Sequence, residues 1–326
     1  MAKENHGVRT ARLIGACAVV LAMLSTPFAS GAAQAASPSR KAAAGPAEPI
    51  AAGWMYLADD YGRPTYDDIP ATWSAINFAH VDVLYVGPFG IQPDGTFDER
   101  GQSPQSPLAK RLRWVVEHAR AENAKIRIIA SQWWGCGDSD CAPLWGNDLS
   151  ALSGSTEAYA ESVARFVQRN DLDGFDIDYE GGNVTEQVGD ILGKVRAQFD
   201  ALGRQTGRRY FETVSPAEPT YLDEPGIATD LDYVNIQTYE GGSSQTASDY
   251  TSIGFDRSQL LYGYCPETAC DTPTLAEAEA GYQNVTSGVP QPLAGIHLWR
   301  LNSGNYQQEN ADQEEIYRYL HGGLGC

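Results

Sequence analysis

Residues 171–180 read Asp-Leu-Asp-Gly-Phe-Asp-Ile-Asp-Tyr-Glu, and Asp176, Asp178 and Glu180 among them stand at strict period two. On a β-strand that spacing puts three carboxyls on one face, about 6.6–6.8 Å apart along the chain, and Phe175, Ile177 and Tyr179 on the other. Like charges that close disfavour one another's ionised forms, so at least one carboxyl is expected to keep its proton toward neutral pH. A carboxylic acid of that kind is what general acid catalysis requires. Two other uses of the same residues fit less well. Calcium loops space their ligands in a Gly- and Asn-containing turn, without aromatic and β-branched residues between them. A solvated acidic edge would not bury Phe175 and Ile177 behind it.

A strand that carries chemistry has to be held by other elements. Apolar runs at 51–57, 75–86, 125–132, 174–180, 210–215, 233–239, 259–264 and 295–301 read as eight strand candidates. Amphipathic patterns lie between several of them. Leu108, Leu112, Val115, Val116 and Ala119 repeat at helical spacing behind Ser106 as N-cap and Pro107 at the first helical position. Tyr159, Val163, Phe166 and Val167 form a second such face, and Val188, Ile191, Leu192, Val195 and Phe199 a third. A last one, around Ile316, Tyr317 and Leu320, closes the chain. Strands alternating with helices imply a parallel sheet with crossover helices. The expected α/β fold is a single (β/α)8 TIM barrel, which needs about 250 residues. Its competitor, an open doubly wound sheet that binds a dinucleotide, lacks a G-x-G-x-x-G after the first strand. Barrel chemistry gathers at the C-terminal ends of strands, and Glu180 ends the fourth candidate.

The bulk properties narrow the setting. Lys3, Arg9 and Arg12, then an apolar stretch from Leu13 to Leu24, then Ala33-Gln34-Ala35, have the order of a signal peptide over 1–35. That stretch is shorter than the roughly 20 residues a membrane span needs, so no membrane association is expected. Residues 36–49 are small and Pro-containing and read as a flexible lead-in to a catalytic barrel over 50–326. The net charge is −19 and becomes −21 once residues 1–35, with three basic residues and one acidic, are removed. Such acidity excludes nucleic acid and anionic membranes as natural partners and suits a neutral polymer. Cys136 with Cys141 and Cys265 with Cys270 suggest two small disulfide loops in an oxidising compartment, and Cys326 is left over. Zinc is the alternative for these pairs, but no histidine stands near either, and no metal or other cofactor is expected.

Asp173-Gly174-Phe175-Asp176-Ile177-Asp178-Tyr179-Glu180 resembles the D-G-x-D-x-D-x-E signature of glycoside hydrolase family 18, the chitinases and endo-β-N-acetylglucosaminidases. Weaker similarities follow in order. Ile76-Asn77-Phe78-Ala79 resembles the family's second strand, and Val214-Ser215-Pro216 its strand-end proline. The run from Val234 to Glu240 resembles the sixth strand with its tyrosine, and Gly295-Ile296-His297-Leu298-Trp299 the eighth with its floor tryptophan. The resemblance implies hydrolysis with retention, in which the substrate's own acetamido group attacks the anomeric carbon. It implies Glu180 as general acid and then base, Asp178 as the group that holds the acetamido N–H, and Asp176 behind it sharing a proton. Tyr239 would bond the acetamido carbonyl and Trp299 would underlie the sugar face.

Further contacts to substrate are expected from Gln237, Phe78, Trp133 (or its neighbour Trp134) and Glu240. Asp173 has the opposite parity and is expected to shape the start of the strand. His80 and His297 are expected to be satisfied core histidines. Two departures from the family pattern stand out. The third strand ends Ser131-Gln132-Trp133-Trp134-Gly135 where the family has S-x-G-G, and the sixth ends Tyr239-Glu240 where chitinases have Tyr-Asp or Tyr-Asn. The function expected is that of a secreted, extracellular, monomeric chitinase-like hydrolase cleaving β-1,4 N-acetylglucosamine linkages. The alternatives are an endo-β-N-acetylglucosaminidase acting on the N-glycan core and a catalytically silent lectin on the same fold.

Overall fold

Side-chain parity along eight short strands decides what this fold encloses. The structure, a computed structural model, describes residues 48–57, 69–92, 94–98, 107–133, 149–152, 154–180, 185–239, 245–267, 270 and 274–322. Among them the barrel strands are β1 (Ile50–Tyr56), β2 (Val83–Ile91), β3 (Arg127–Gln132) and β4 (Gly174–Tyr179). The second half holds β5 (Phe211–Pro216), β6 (Tyr233–Ile236), β7 (Leu260–Tyr264) and β8 (Gly295–Leu298). Each pairs in parallel with the next, and β1 pairs with both β2 and β8, so the sheet closes into a (β/α)8 barrel. Closure removes both sheet edges, and the strands, buried on both faces, read as near-continuous apolar runs.

The connecting helices are α1 (Pro107–Glu122), α2 (Thr156–Arg169), α3 (Val188–Thr206), α4 (Ile227–Asp230), α5 (Ala247–Ser252), α6 (Leu275–Thr286) and α7 (Tyr306–His321). The apolar faces expected for α1, α2 and α3 are buried against the barrel. On β4 the odd residues point outward to them. Phe175 packs its ring edge-on against Phe97 at 5.0 Å and Tyr159 at 6.4 Å. The even residues therefore face the barrel interior. Below them, at the N-terminal end of the strand, the Asp173 carboxylate accepts from Arg120, Arg208 and the backbone N–H of Ile128. Asp173 thus ties β4 to its neighbours, as its parity suggested.

The second strand departs from expectation. Residues 75–82 form no strand; Ala71–Ala75 and Phe78–His80 are 3-10 turns, and β2 starts at Val83. Asn77 accepts from the N–H of Ala79 and so offers the backbone a turn in place of a ladder. A short apolar run alone cannot tell a strand from a buried turn. The consequence is a correction for Phe78. It is buried in the core before β2 begins, its N–H bonded to Glu122, at the barrel end opposite the strand C-termini. It cannot touch a substrate at that other end.

β6 and β8 are also shorter than expected, so Gln237 and Tyr239 stand in a turn just past β6. Ser106, Trp134, Glu240, Cys136, Cys141 and Cys326 lie outside the described residues. Cys265 and Cys270 form a disulfide. Among the described residues no helix is long and apolar enough to cross a membrane.

Candidate active site

Three carboxyls climb the inner face of β4 through a gradient of burial. Asp176 is inaccessible to solvent, Asp178 is 8% exposed, and Glu180 stands partly exposed at the strand's C-terminal end. The register explains what surrounds the lowest of them: Asp176 is paired with Ser131 on β3 and Thr213 on β5, and Asp178 with Ser215. Same-parity neighbours in a parallel barrel share the interior, so four strands converge on one carboxylate.

Asp176 accepts from Thr213 Oγ1 at 2.6 Å, Ser131 Oγ at 2.9 Å and Ser215 Oγ at 3.3 Å. Asn235 Nδ2 lies 3.4 Å from it and donates at 2.9 Å to Ser215 Oγ. Burial pushes Asp176 up from 3.8 to about 6, and the bonds from Thr213, Ser131, Ser215 and Asn235 pull the other way. Desolvation wins because hydroxyl and amide dipoles only partly replace the lost water. The carboxyl thus holds a proton far higher in pH than an ordinary aspartate. That is the crowding inferred from the strand pattern, with burial rather than mutual repulsion as its main cause. Tyr85, stacked on Trp54 at 4.5 Å, closes the interior below; burial and the nearby charge of Asp176 raise its phenol.

At the top, Gln237 joins the column together. Its Nε2 donates to Glu180 Oε1 at 2.8 Å and to the carbonyl of Ser215 at 3.1 Å, and lies 3.5 Å from Asp178 Oδ1. Tyr239 is buried with its ring edge against His297 at 5.9 Å. His297 lies in the barrel wall with Nε2 donating to the carbonyl of Ile236 at 3.0 Å, and burial lowers its imidazole to about 4. It is therefore neutral and structural at physiological pH. Both rings depend on Gly263: a Cβ there would fall 2.3 Å from Ile236 O, 2.9 Å from the Tyr239 ring and 3.0 Å from His297 Nε2.

Beside the carboxyls an open cleft is lined by Trp54, Tyr56, Pro88, Ser131, Trp133, Asp178 and Trp299, among others. Asp178 belongs to both the carboxyl column and the cleft wall. Trp299 meets Trp54 edge-on at 5.4 Å, and Trp133 leans on Tyr56 at 5.2 Å. A carboxyl at the wall of an aromatic-lined cleft suits a ligand with flat apolar faces and polar edges, which describes a pyranose.

The sequence and the fold both have known relatives. Residues 140–276 match the family model described as glycosyl hydrolases family 18. Chitinase A1 of Niallia circulans is 28% identical over 249 residues, covering 68% of this chain and 33% of that protein. Over these residues the chain is similar to the family 18 glycosyl hydrolases. It spans about a third of the length of that curated relative. Solved structures with the same fold include a family 18 chitinase, ChiB, from the chitin utilization locus of Flavobacterium johnsoniae. Its TM-score is 0.57 at 16% identity, covering 85% of this chain and 97% of that one. A fungal family 18 endo-β-N-acetylglucosaminidase follows with a TM-score of 0.54 at 18% identity, covering 84% and 99%.

The fold brings Asp176, Asp178, Glu180 and Gln237 into one hydrogen-bonded column and sets Trp133 and Trp299 on the adjacent cleft. Tyr239 sits beside His297, and Phe78 is elsewhere. Sequence reasoning missed Trp54, Tyr56, Pro88, Thr213 and Asn235. The polar ones carried a signal: Ser131, Thr213, Ser215 and Asn235 each interrupt an otherwise buried strand, where a polar group must find a partner. Polarity alone was not enough, since the fully buried Glu212 interrupts β5 just as conspicuously but has the outward parity.

Proposed function

We propose that this protein is a secreted retaining hydrolase that cleaves β-1,4 linkages between N-acetylglucosamine units. Glu180 protonates the glycosidic oxygen as the bond breaks and then takes a proton from the incoming water. Asp178 receives the acetamido N–H of the sugar whose carbonyl oxygen attacks the anomeric carbon. Asp176, which keeps its proton to about pH 6 in the interior, supports the charge that Asp178 carries as that intermediate forms. Tyr239 bonds the acetamido carbonyl. Trp299 lies under the distorted sugar, and Trp133 meets a neighbouring unit.

One observation carries this reading. The partly exposed Glu180 and the nearly buried Asp178 share the single amide of Gln237, above an Asp176 that keeps its proton to about pH 6. A stepped column of this kind supplies a proton at its mouth and a charge reserve at its base. Secretion is supported by the Cys265–Cys270 disulfide, which persists in oxidising compartments. The net charge of −19 suits a neutral glycan as substrate and does not suit nucleic acid or an anionic membrane. A monomer working alone needs no more than these residues.

The test is the product profile on end-labelled N-acetylglucosamine oligomers, run beside a high-mannose glycoprotein. Cleavage of the oligomers with β-configured new ends supports the proposal. Cleavage of the glycoprotein alone assigns the domain to the N-glycan core instead, and binding without cleavage of either makes it a lectin.

A further inference from the structure

Behind the aromatic floor of the cleft lies a charged pair that no catalytic step uses. Arg300 follows Trp299 and turns its guanidinium back over two rings, with Cζ 5.3 Å from the Tyr56 centroid and 5.9 Å from that of Trp299. Its Nε faces Glu267 Oε1 at 2.8 Å, and the two side chains are only 13% and 16% exposed. Glu267 in turn lies inside the loop closed by the Cys265–Cys270 disulfide. The backbone of Tyr56 is held on both its groups by Asn302, so its ring is the part left to be placed.

An ion pair this far from water is weak support for stability, because desolvation of both charges offsets their attraction. A cation over ring faces, by contrast, fixes the tilt of those rings. Tyr56 and Trp299 are both cleft-lining residues, and both lie under the same guanidinium. We propose that Arg300 is a positioning residue. Held by Glu267 from the disulfide loop, it sets Tyr56 and Trp299 at the angle that receives a sugar face. This rests on the reading above that the cleft binds N-acetylglucosamine units. The loop after β7 thereby governs a surface built from β1 and β8, and the disulfide is part of the binding apparatus.

The experiment measures binding of N-acetylglucosamine tetramer and hexamer by calorimetry in the Glu180→Gln chain, which is expected to bind with turnover strongly lowered. Glu267→Gln and Arg300→Met are added separately. Met keeps the length and packing of the arginine stem and removes the charge. Each is expected to weaken binding about tenfold, roughly 1.4 kcal/mol, while Arg300→Lys, which keeps a cation over the rings, recovers most of it. Reduction of the disulfide by a thiol under native conditions, with no substitution at either residue, is expected to weaken binding in the same direction. That arm serves if a variant fails to fold. Binding within twofold of the parent in both charge-removing variants, whatever their melting temperature, overturns the proposal, as does unchanged binding after reduction. A parent that binds neither oligomer overturns the functional reading and this inference with it. A parent that binds, with variants that bind equally well, overturns this inference alone.

Discussion

Gln237 reaches Glu180 with one amide nitrogen at 2.8 Å while the same nitrogen donates to the backbone of Ser215 at 3.1 Å. Two acceptors on one nitrogen leave the amide no alternative orientation, since its oxygen would face two oxygens if it were turned over. The carboxyl of Glu180 is therefore aimed before any sugar arrives. Preorganisation of this kind lowers the cost of reaching the transition state. Replacement by Met, similar in length but unable to donate, is expected to lower kcat/KM by about 10- to 100-fold. That matches the roughly 1.5–3 kcal/mol of a bond to a charged group. Steady-state kinetics on an oligomer substrate check it, and a loss under threefold would show that Gln237 only lines the pocket.

Glu180→Gln should leave oligomer binding within a few-fold of the parent and lower turnover by at least about 10²–10⁴, the usual yield of general acid–base catalysis. Single-turnover kinetics beside calorimetry separate the two quantities. Turnover near that of the parent would remove Glu180 from its assigned role.

Gly263→Ala is expected to damage activity more than Tyr239→Phe. The added methyl would have to displace the Tyr239 ring or the Ile236 carbonyl, neither of which is the far end of a flexible chain. Removing the Tyr239 hydroxyl costs one hydrogen bond, about 1–3 kcal/mol where the partner is left unpaired. Comparing kcat/KM for the two variants decides it; a harmless alanine at 263 would mean the turn after β6 relaxes freely.

Asp176 makes stability fall as pH rises. Below about pH 4 its carboxyl is protonated in folded and unfolded chains alike. Between 3.8 and about 6 the unfolded chain releases the proton and the folded chain keeps it. Folding is therefore disfavoured by up to about 3 kcal/mol by pH 7. Asp176→Asn lacks this dependence, so urea unfolding at pH 4 and pH 7 should show the variant gaining on the parent by about that amount. A constant difference between the two pH values would contradict a buried, proton-holding Asp176. Activity should drop in the same variant, because Asp178 loses the neighbour that supports its charge.

His297 works in the other direction. Its imidazole is lowered from 6.5 to about 4 by burial, so the unfolded chain binds a proton in that interval and the folded chain does not. Its stabilising effect is fully present above pH 6.5 and is lost toward pH 4, again by about 3 kcal/mol. His297→Gln, which can still donate to Ile236 O, should flatten this acid limb in thermal melts between pH 4 and 7. An equally steep limb in the variant would place the titration elsewhere.

Much of this molecule was legible before any fold existed, and the reasons are local. Period two along residues 174–180 is enough to place Asp176, Asp178 and Glu180 on one face and Phe175, Ile177 and Tyr179 on the other, because side-chain alternation is a property of the strand itself. The helical faces of α1, α2, α3 and α7 follow from a 3.6-residue period in the same way. Locality also explains the errors. The run around Phe78 has strand composition, but Asn77 and its contacts wind it into a turn beneath the barrel.

What only the tertiary structure decided is which distant residues share a layer. Ser131, Thr213, Ser215 and Asn235 come from three other strands and meet at Asp176 through register, which side-chain pattern alone does not encode. Barrel closure carries Trp54 and Tyr56 of β1 round to Trp299, beyond β8, and makes one cleft from the two ends of the chain. The sequence determined that three carboxyls would face one way. Closure of the sheet determined that they would face the same enclosed space, where burial could hold a proton on Asp176, and the turn past β6 then brought Gln237 to aim Glu180.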